Sequence, residues 1–210
     1  MDQPLGVYPL WDRVIGAEVE ATLWQSIAER HVQDFREKWK PIFCEHLQAL
    51  KARGLTSAAD VGEYNLQDAH WKWAEKVADR KDSLSSTSFA VEVEGVAQGL
   101  MLAKMGPTVR AREPSQRGQY LVEVELLATA PWNRYGISPN PKIKGIGRLL
   151  LAAAVSLSVA EEFGGRIGLH ALPQAESWYR DVCKMTDLGM DGSKMRYFEM
   201  TETQAREFLA

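Results

Sequence analysis

The chain reads as an α+β protein, on three observations. Apolar residues recur at helical spacing before residue 80, alternate with other residues from Phe89, and return to helical spacing after Ile146. From Ala17 to Arg53, one irregular stripe runs through Leu23, Ile27, Val32, Phe35 and Trp39 and another through Ile42, Phe43, Leu47 and Leu50, which predicts helix. Pro41 lacks the amide that an interior turn needs, so two helices or a kink are expected there, and Gly54 ends the second. A third helix is predicted over Leu66 to Arg80, carrying Ala69, Trp73 and Val77 on one face. Trp11, Trp24, Trp39, Trp71 and Trp73 all precede residue 80; they read as anchors docking helices onto a core, the other reading being an exposed aromatic cage.

From Phe89 the period changes to two. Phe89, Val91 and Val93 alternate with Ala90, Glu92 and Glu94, Gly95 offers a turn, and Val96 to Met105 is almost wholly apolar, so two adjacent strands are expected. Gly106 to Gly118 reads as a long loop, with Arg110, Arg112 and Arg117 either solvated or facing an anionic group. Tyr120 to Leu127 is the third strand. Ile146, Leu149, Leu150, Ala153, Ala154, Leu157 and Ala160 then form a helical stripe stopped by Gly164 and Gly165. A strand over Arg166 to His170, a helix over Gln174 to Cys183 and a strand over Met195 to Met200 follow, and Thr201 with Gln204 forms a capping box for a terminal helix. The expected organisation is a helical N-terminal region, residues 1–85, packed on a core of residues 86–210, compact as one domain.

With 210 residues, 45% hydrophobic and 25% charged, the composition is that of an ordinary soluble globular protein. No apolar run approaches the ~20 residues of a membrane span, and no basic-then-apolar leader opens the chain, so no membrane partner and a cytoplasmic location are expected. Cys44 and Cys183 are read as buried thiols, and the scattered His31, His46, His70 and His170 as no metal site. A net charge of −3 argues against nucleic acid as a partner.

Lys142-Ile143-Lys144-Gly145-Ile146-Gly147-Arg148 stands ahead of the long helix with two glycines and three cations. Glycines let the backbone approach a ligand, and the first helical turn offers unpaired N–H groups and a positive dipole end. This segment is either a phosphate-binding turn or a tight loop into a core helix.

Its surroundings resemble the GNAT superfamily of acyl-CoA-dependent N-acetyltransferases. In that family a strand runs into a Val/Thr-x-Pro-like segment, then an Arg/Gln-x-x-Gly-x-Gly/Ala turn, a helix, a strand and an Ala-x-x-x-Tyr helix. Here the order is Leu127-Ala128-Thr129-Ala130-Pro131, Lys142 to Gly147, the helix to Phe163, the strand to His170, and Ala175-Glu176-Ser177-Trp178-Tyr179, over roughly residues 86 to 200. Lys142 stands where the family prefers Gln or Arg, Tyr135 to Pro141 lengthen the preceding loop, and Leu172 replaces a frequent Asn. The resemblance implies a GNAT-like, mostly antiparallel sheet flanked by helices and acetyl transfer from acetyl-CoA to a primary amine by direct attack in a ternary complex. The amine belongs to a small molecule or a peptide, and a homodimer is a possible assembly. Two alternatives stand beside this: a coenzyme-binding interaction protein of the same fold, and a toxin acetylating aminoacyl-tRNA.

The chemistry sets what must be found. An alkylamine of pKa about 10.4 is neutral in only about one molecule in 2,500 at pH 7, a deficit of about 4.6 kcal/mol, so a base is wanted. The resemblance makes Glu123 and Glu125, alternate residues of one strand, candidates; solvent-facing acids would give the same pattern. His170 is another candidate. The resemblance puts Tyr179 beside the leaving sulfur as the acid, the other reading being a core tyrosine packed on Trp178. It also implies backbone donors near Leu127, Ala128 and Thr129 for the thioester oxygen, and Lys142, Lys144, Gly145, Ile146, Gly147 and Arg148 around the pyrophosphate. Trp132, Asn133 and Arg134 lie between these two sites, to contact a ligand or to pack the loop.

Overall fold

The computed structural model describes residues 3–210. Strands β1 (Gln3–Asp12) and β2 (Ala17–Gln25) form a hairpin that continues antiparallel into β3 (Ser86–Val93), β4 (Val96–Lys104) and β5 (Val122–Thr129). The two-residue β6 (Ile143–Lys144) pairs with the end of β1, while β7 (Ile167–Ala171) runs parallel to β5. The last strands, β8 (Thr186–Met190) and β9 (Arg196–Met200), complete a nine-stranded sheet of order β6-β1-β2-β3-β4-β5-β7-β9-β8. One face carries α1 (Glu29–Asp34), α2 (Lys40–Ala52), α3 (Ala58–Glu63) and α4 (Trp73–Ala78); the other carries α5 (Ile146–Ala160) and α6 (Glu202–Leu209). The α+β class and mostly antiparallel sheet read from the sequence are those observed.

The N-terminal segment departs from the helical expectation: helix begins at Glu29, and Ala17 to Gln25 is strand. Ala21 and Leu23 are buried on alternate positions while Glu20 is exposed, a period of two that the Leu23-to-Ile27 spacing masks. Asp12 turns the hairpin by accepting the amides of Val14 and Ile15, and Gly16, at φ 66°, completes the turn. Pro41 breaks nothing. A π-helical turn over Phe35–Trp39 precedes it, with the Lys40 amide reaching Phe35 O, so one widened turn absorbs the proline within a continuous helical rod. The helix expected over Leu66 to Arg80 is confined to Trp73–Ala78, and β8, whose side chains are half-buried or exposed, has no apolar alternation to announce it. Cys44 is exposed and Cys183 buried, so the expectation of two buried thiols holds for one.

Two cores follow from alternation. Met101, Ala103, Val122, Val124, Ile167 and Leu169 meet α5, and Leu100, Leu102, Ala128 and Ala130 meet Phe35, Trp39, Phe43 and Trp73. Trp39 and Trp73 are thus anchors, as expected. Asp34 accepts the Ala97 amide at 2.8 Å and Trp39 Nε1 donates to the Ala97 carbonyl at 3.1 Å, fixing the helical rod onto β4.

Gly99 sets how closely α5 sits: a Cβ there would be 2.5 Å from Ile146 Cγ2 and 2.9 Å from Leu150 Cδ1. Gly99→Ala is expected to lower unfolding free energy by about 1–3 kcal/mol in denaturant titration through overpacking. Gly192→Ala, with open space around it, is the control; equal effects of the two would contradict this account of the packing.

Candidate active site

The site begins where two parallel strands part. Val122, Glu123 and Val124 of β5 pair with Ile167, Gly168 and Leu169 of β7, and the pairing stops there. A bulge lies at the same place: Leu102 pairs with Leu126 and Ala103 with Val124, leaving Glu125 as the extra residue. Beyond it β5 stays on β4 alone. Ala130 donates to Gln98 O at 2.9 Å, so by the alternation of an antiparallel ladder the backbone groups of Ala128 also face β4, and those of Leu127 and Thr129 face the fork.

Arg134 occupies the open end of the fork. Its guanidinium donates from Nε to Thr129 O at 2.8 Å and forms a two-pronged pair with Asp68 at 2.6 and 2.7 Å, both side chains being buried. Gln174 bridges the far side: its Nε2 donates to Asp68 at 3.2 Å, and it exchanges backbone and side-chain bonds with Gln67. Trp132 packs the loop, and both it and Asn133, which also lines the cleft beside the fork, donate to Gln98 Oε1 at 2.8 and 3.0 Å. Asn133 also accepts the Ile143 amide at 2.9 Å, which places the following turn.

Gly145, at φ 101°, is the N-cap of α5, a conformation that requires glycine. The first helical amide bond closes from Leu149 to Gly145 O, so the N–H groups of Ile146, Gly147 and Arg148 have no acceptor within the helix. Gly147 is helical; its missing side chain keeps the space beside Trp178 open. The helix end, Leu127 to Thr129, Asp68, Arg134, Ala175, Trp178 and Tyr179 line one cleft of about 420 Å³. Larger grooves of about 650 and 880 Å³ contain none of the four expected catalytic residues.

Of the three cations read from the turn, Lys144 lines the cleft. Lys142 lies outside its lining, with Nζ 3.8 Å from Asp12. Arg148 lines the cleft, but its guanidinium donates to Phe208 O and stacks 4.2 Å from the Phe208 ring, tying α5 to α6. Arg13, which no motif marks, also reaches the cleft wall.

Tyr179 sits in a π-helical turn, Trp178–Val182, and is 6% exposed. Burial first, then the nearby Cys183 and Asp68, raise its pKa well above the ordinary tyrosine value, so the hydroxyl keeps its proton at neutral pH. Burial likewise pushes the neighbouring Cys183 thiol up to about 12, which makes it an inert filler.

Glu123, Glu125 and His170 lie outside that cleft's lining and on the other face of the sheet from α5 at the apex of the fork. Glu125 is held by Arg80 at 2.8 Å and Lys104 at 3.6 Å; burial opposes, but the Arg80 hydrogen bond and these charges keep its carboxyl below the usual range. Glu123 contacts Lys104 at 3.2 Å and His170 Nδ1 at 3.8 Å. Among the described residues no group of His, Cys, Asp and Glu is arranged to hold a metal ion, and no helix is long and apolar enough to cross a membrane.

Removing one partner of the Asp68–Arg134 pair strands the other charge inside the protein. Arg134→Leu is expected to cost about 3–5 kcal/mol in stability, and Arg134→Leu with Asp68→Leu clearly less than the sum of the singles, because the double change buries no unpaired charge. Additive losses by denaturant titration would show that the pair is not coupled.

No protein-family model matches the chain, and no curated protein matches it. Solved structures do. An N-acyl amino acid synthase from uncultured soil microbes, FeeM, is 12% identical, with 89% of this chain and 93% of that one covered and a TM-score of 0.51. An uncharacterized protein from Bacillus halodurans is 10% identical, covering 98% and 95%, also at 0.51. The PaiA N-acetyltransferase of Thermoplasma acidophilum, solved in complex with coenzyme A, is 15% identical, covering 81% and 90%, at 0.45. The likeness is one of fold: this chain has a mixed α+β, GNAT-like architecture, a mostly antiparallel sheet flanked by helices.

Proposed function

We propose that this protein is an acyl-CoA-dependent N-acetyltransferase that moves an acetyl group from acetyl-CoA to a primary amine of a small molecule or peptide, by direct attack in a ternary complex. The observation that carries the reading is the cleft at the fork, where the unpaired amides of α5, the fork-facing amides of β5 and the protonated Tyr179 line one cavity. The residues fit the coenzyme. The glycine-bounded helix end suits a pyrophosphate, with Lys144 adding charge, and the parted strands leave backbone donors with no strand partner. Acetyl-CoA supplies the activated acyl group and a thiolate leaving group.

Each residue then has a definable task. The Leu127 and Thr129 amides face the fork and donate hydrogen bonds to the carbonyl oxygen as it gains charge; Ala128, whose amide faces β4, contributes packing only. Tyr179 delivers a proton to the leaving sulfur. Glu125, saturated by Arg80 and Lys104, is a weak base, so proton removal falls to His170 and Glu123 at the apex. The Arg134–Asp68–Gln174 bridge holds the fork's open end at fixed width.

Acetyl-CoA is expected to raise the melting temperature, since a ligand that binds only the folded state stabilises it by mass action; no shift at millimolar ligand would remove the coenzyme from the reading. Tyr179→Phe should lower turnover by about 10²-fold or more while preserving that thermal shift. Unchanged turnover would make Tyr179 a packing residue. Coenzyme binding without acetylation of any amine in a broad acceptor screen would identify a binding protein instead of an enzyme.

A further inference from the structure

His170 is the first residue of β7 beyond its pairing with β5, and its neighbours Leu169 and Ala171 lie in the α5-side core, so the imidazole projects from the opposite face. Its two nitrogens are in different surroundings. Nε2 is 2.7 Å from Asp191 Oδ2, whereas Nδ1 is 3.8 Å from Glu123 Oε1, too far for a direct hydrogen bond. Asp191, in the turn between β8 and β9, is itself fixed. Its Oδ1 accepts from the Ser193 amide at 2.8 Å and the Ser193 hydroxyl at 2.6 Å, and Oδ2 accepts from Arg112 at 2.6 Å.

The ring is confined from the side as well. Tyr197 of β9 lies 4.7 Å from it, centroid to centroid, and Arg112 stacks 3.9 Å over Tyr197. Gly168 makes room for this: a Cβ there would stand 2.2 Å from the Tyr197 hydroxyl. The charged and titratable groups facing the imidazole are therefore Asp191 from the turn, Glu123 from β5 with Lys104 of β4 upon it, Arg112 from the 106–118 loop, and Tyr197 from β9. Glu199, farther along the same face, is occupied by the amides of Arg112 and Glu113.

We propose that Asp191 is a positioning residue for His170: by accepting the Nε2 proton it holds Nδ1 unprotonated, and Nδ1, with Glu123 beside it, receives the ammonium group of the acceptor as the general base. The proposal rests on the acyl-transfer reading above. In the step, one ammonium proton passes to Nδ1, the freed nitrogen lone pair forms the N–C bond at the thioester carbonyl carbon, and the C–S bond breaks with its electron pair on sulfur. The thiolate takes the Tyr179 hydroxyl proton, the second nitrogen proton replaces it through solvent, and the imidazolium releases its proton to water after the product leaves. The task of Asp191 is the one a carboxylate performs wherever it selects a histidine tautomer.

The test combines imidazole 15N NMR on the full-length protein with acetylation kinetics. With His170→Gln used to assign the ring, wild type is expected to show the Nε2–H tautomer of the neutral imidazole, and Asp191→Asn to shift the population towards the Nδ1–H tautomer, since the carboxylate that accepts the Nε2 proton is gone. Two amine probes separate positioning from folding: benzylamine, protonated at neutral pH, and hydroxylamine, already largely neutral. Asp191→Asn should lower kcat/KM for benzylamine by about 10-fold or more at pH 7, less as pH rises, and leave the hydroxylamine rate within about twofold. Ser193→Ala, which loosens the turn but keeps the carboxylate, should leave the tautomer and pH profile unchanged. An Nδ1–H tautomer in wild type, an unchanged tautomer in Asp191→Asn, or equal losses for both amines would overturn the proposal. Absence of an acetyl-CoA thermal shift in wild type would overturn it through the reading on which it rests, and the tautomer measurement would tell the two failures apart.

Discussion

The constraint on which the rest of the structure depends is that β5 and β7 pair over only three residues and then separate. Parallel strands in a sheet interior ordinarily satisfy each other's backbone groups, so a parting leaves donors and acceptors that must be met some other way. Here the Thr129 carbonyl is met by the Arg134 guanidinium, and the fork-facing amides are left lining a cavity. The bulge at Glu125 begins the separation and helices close over both faces.

Holding strands apart requires a strut, and it comes from remote sequence. Asp68 belongs to the segment between α3 and α4, Arg134 to the loop after β5, and Gln174 to the segment after β7. A buried ion pair contributes little net stability when it replaces apolar packing, but it fixes geometry because each partner is costly to leave alone. The lengthened loop from Tyr135 to Pro141 fits this arrangement: Asn65 donates to the Tyr135 carbonyl, and Arg13 to its hydroxyl.

What was legible in the sequence was what repeats with a short period. The α5 stripe, the β3–β4 pair, the Thr201 capping box and the glycine at the head of α5 could all be read because their causes lie within a few residues. In the sequence β2 carries no clear period of two, since Leu23 and Ile27 sit four apart by accident of a strand running into a helix. The cleft was half legible. Gly145 and Tyr179 carry local motifs, whereas the destinations of Lys142, Arg148 and Arg134 depend on partners 60 or more residues away, which no spacing rule encodes. The same holds for Asp191, whose only local signal is a turn with Ser193.

Under the proposed function, the fork and the head of α5 form one coenzyme site. Backbone amide NMR during titration with acetyl-CoA tests it most directly. The largest shifts are expected at the amides of Leu127, Thr129, Ile146, Gly147 and Arg148. Shifts confined to the larger groove between β1 and α5, around Leu5, Tyr8 and Leu157, with those five amides unmoved, would contradict it.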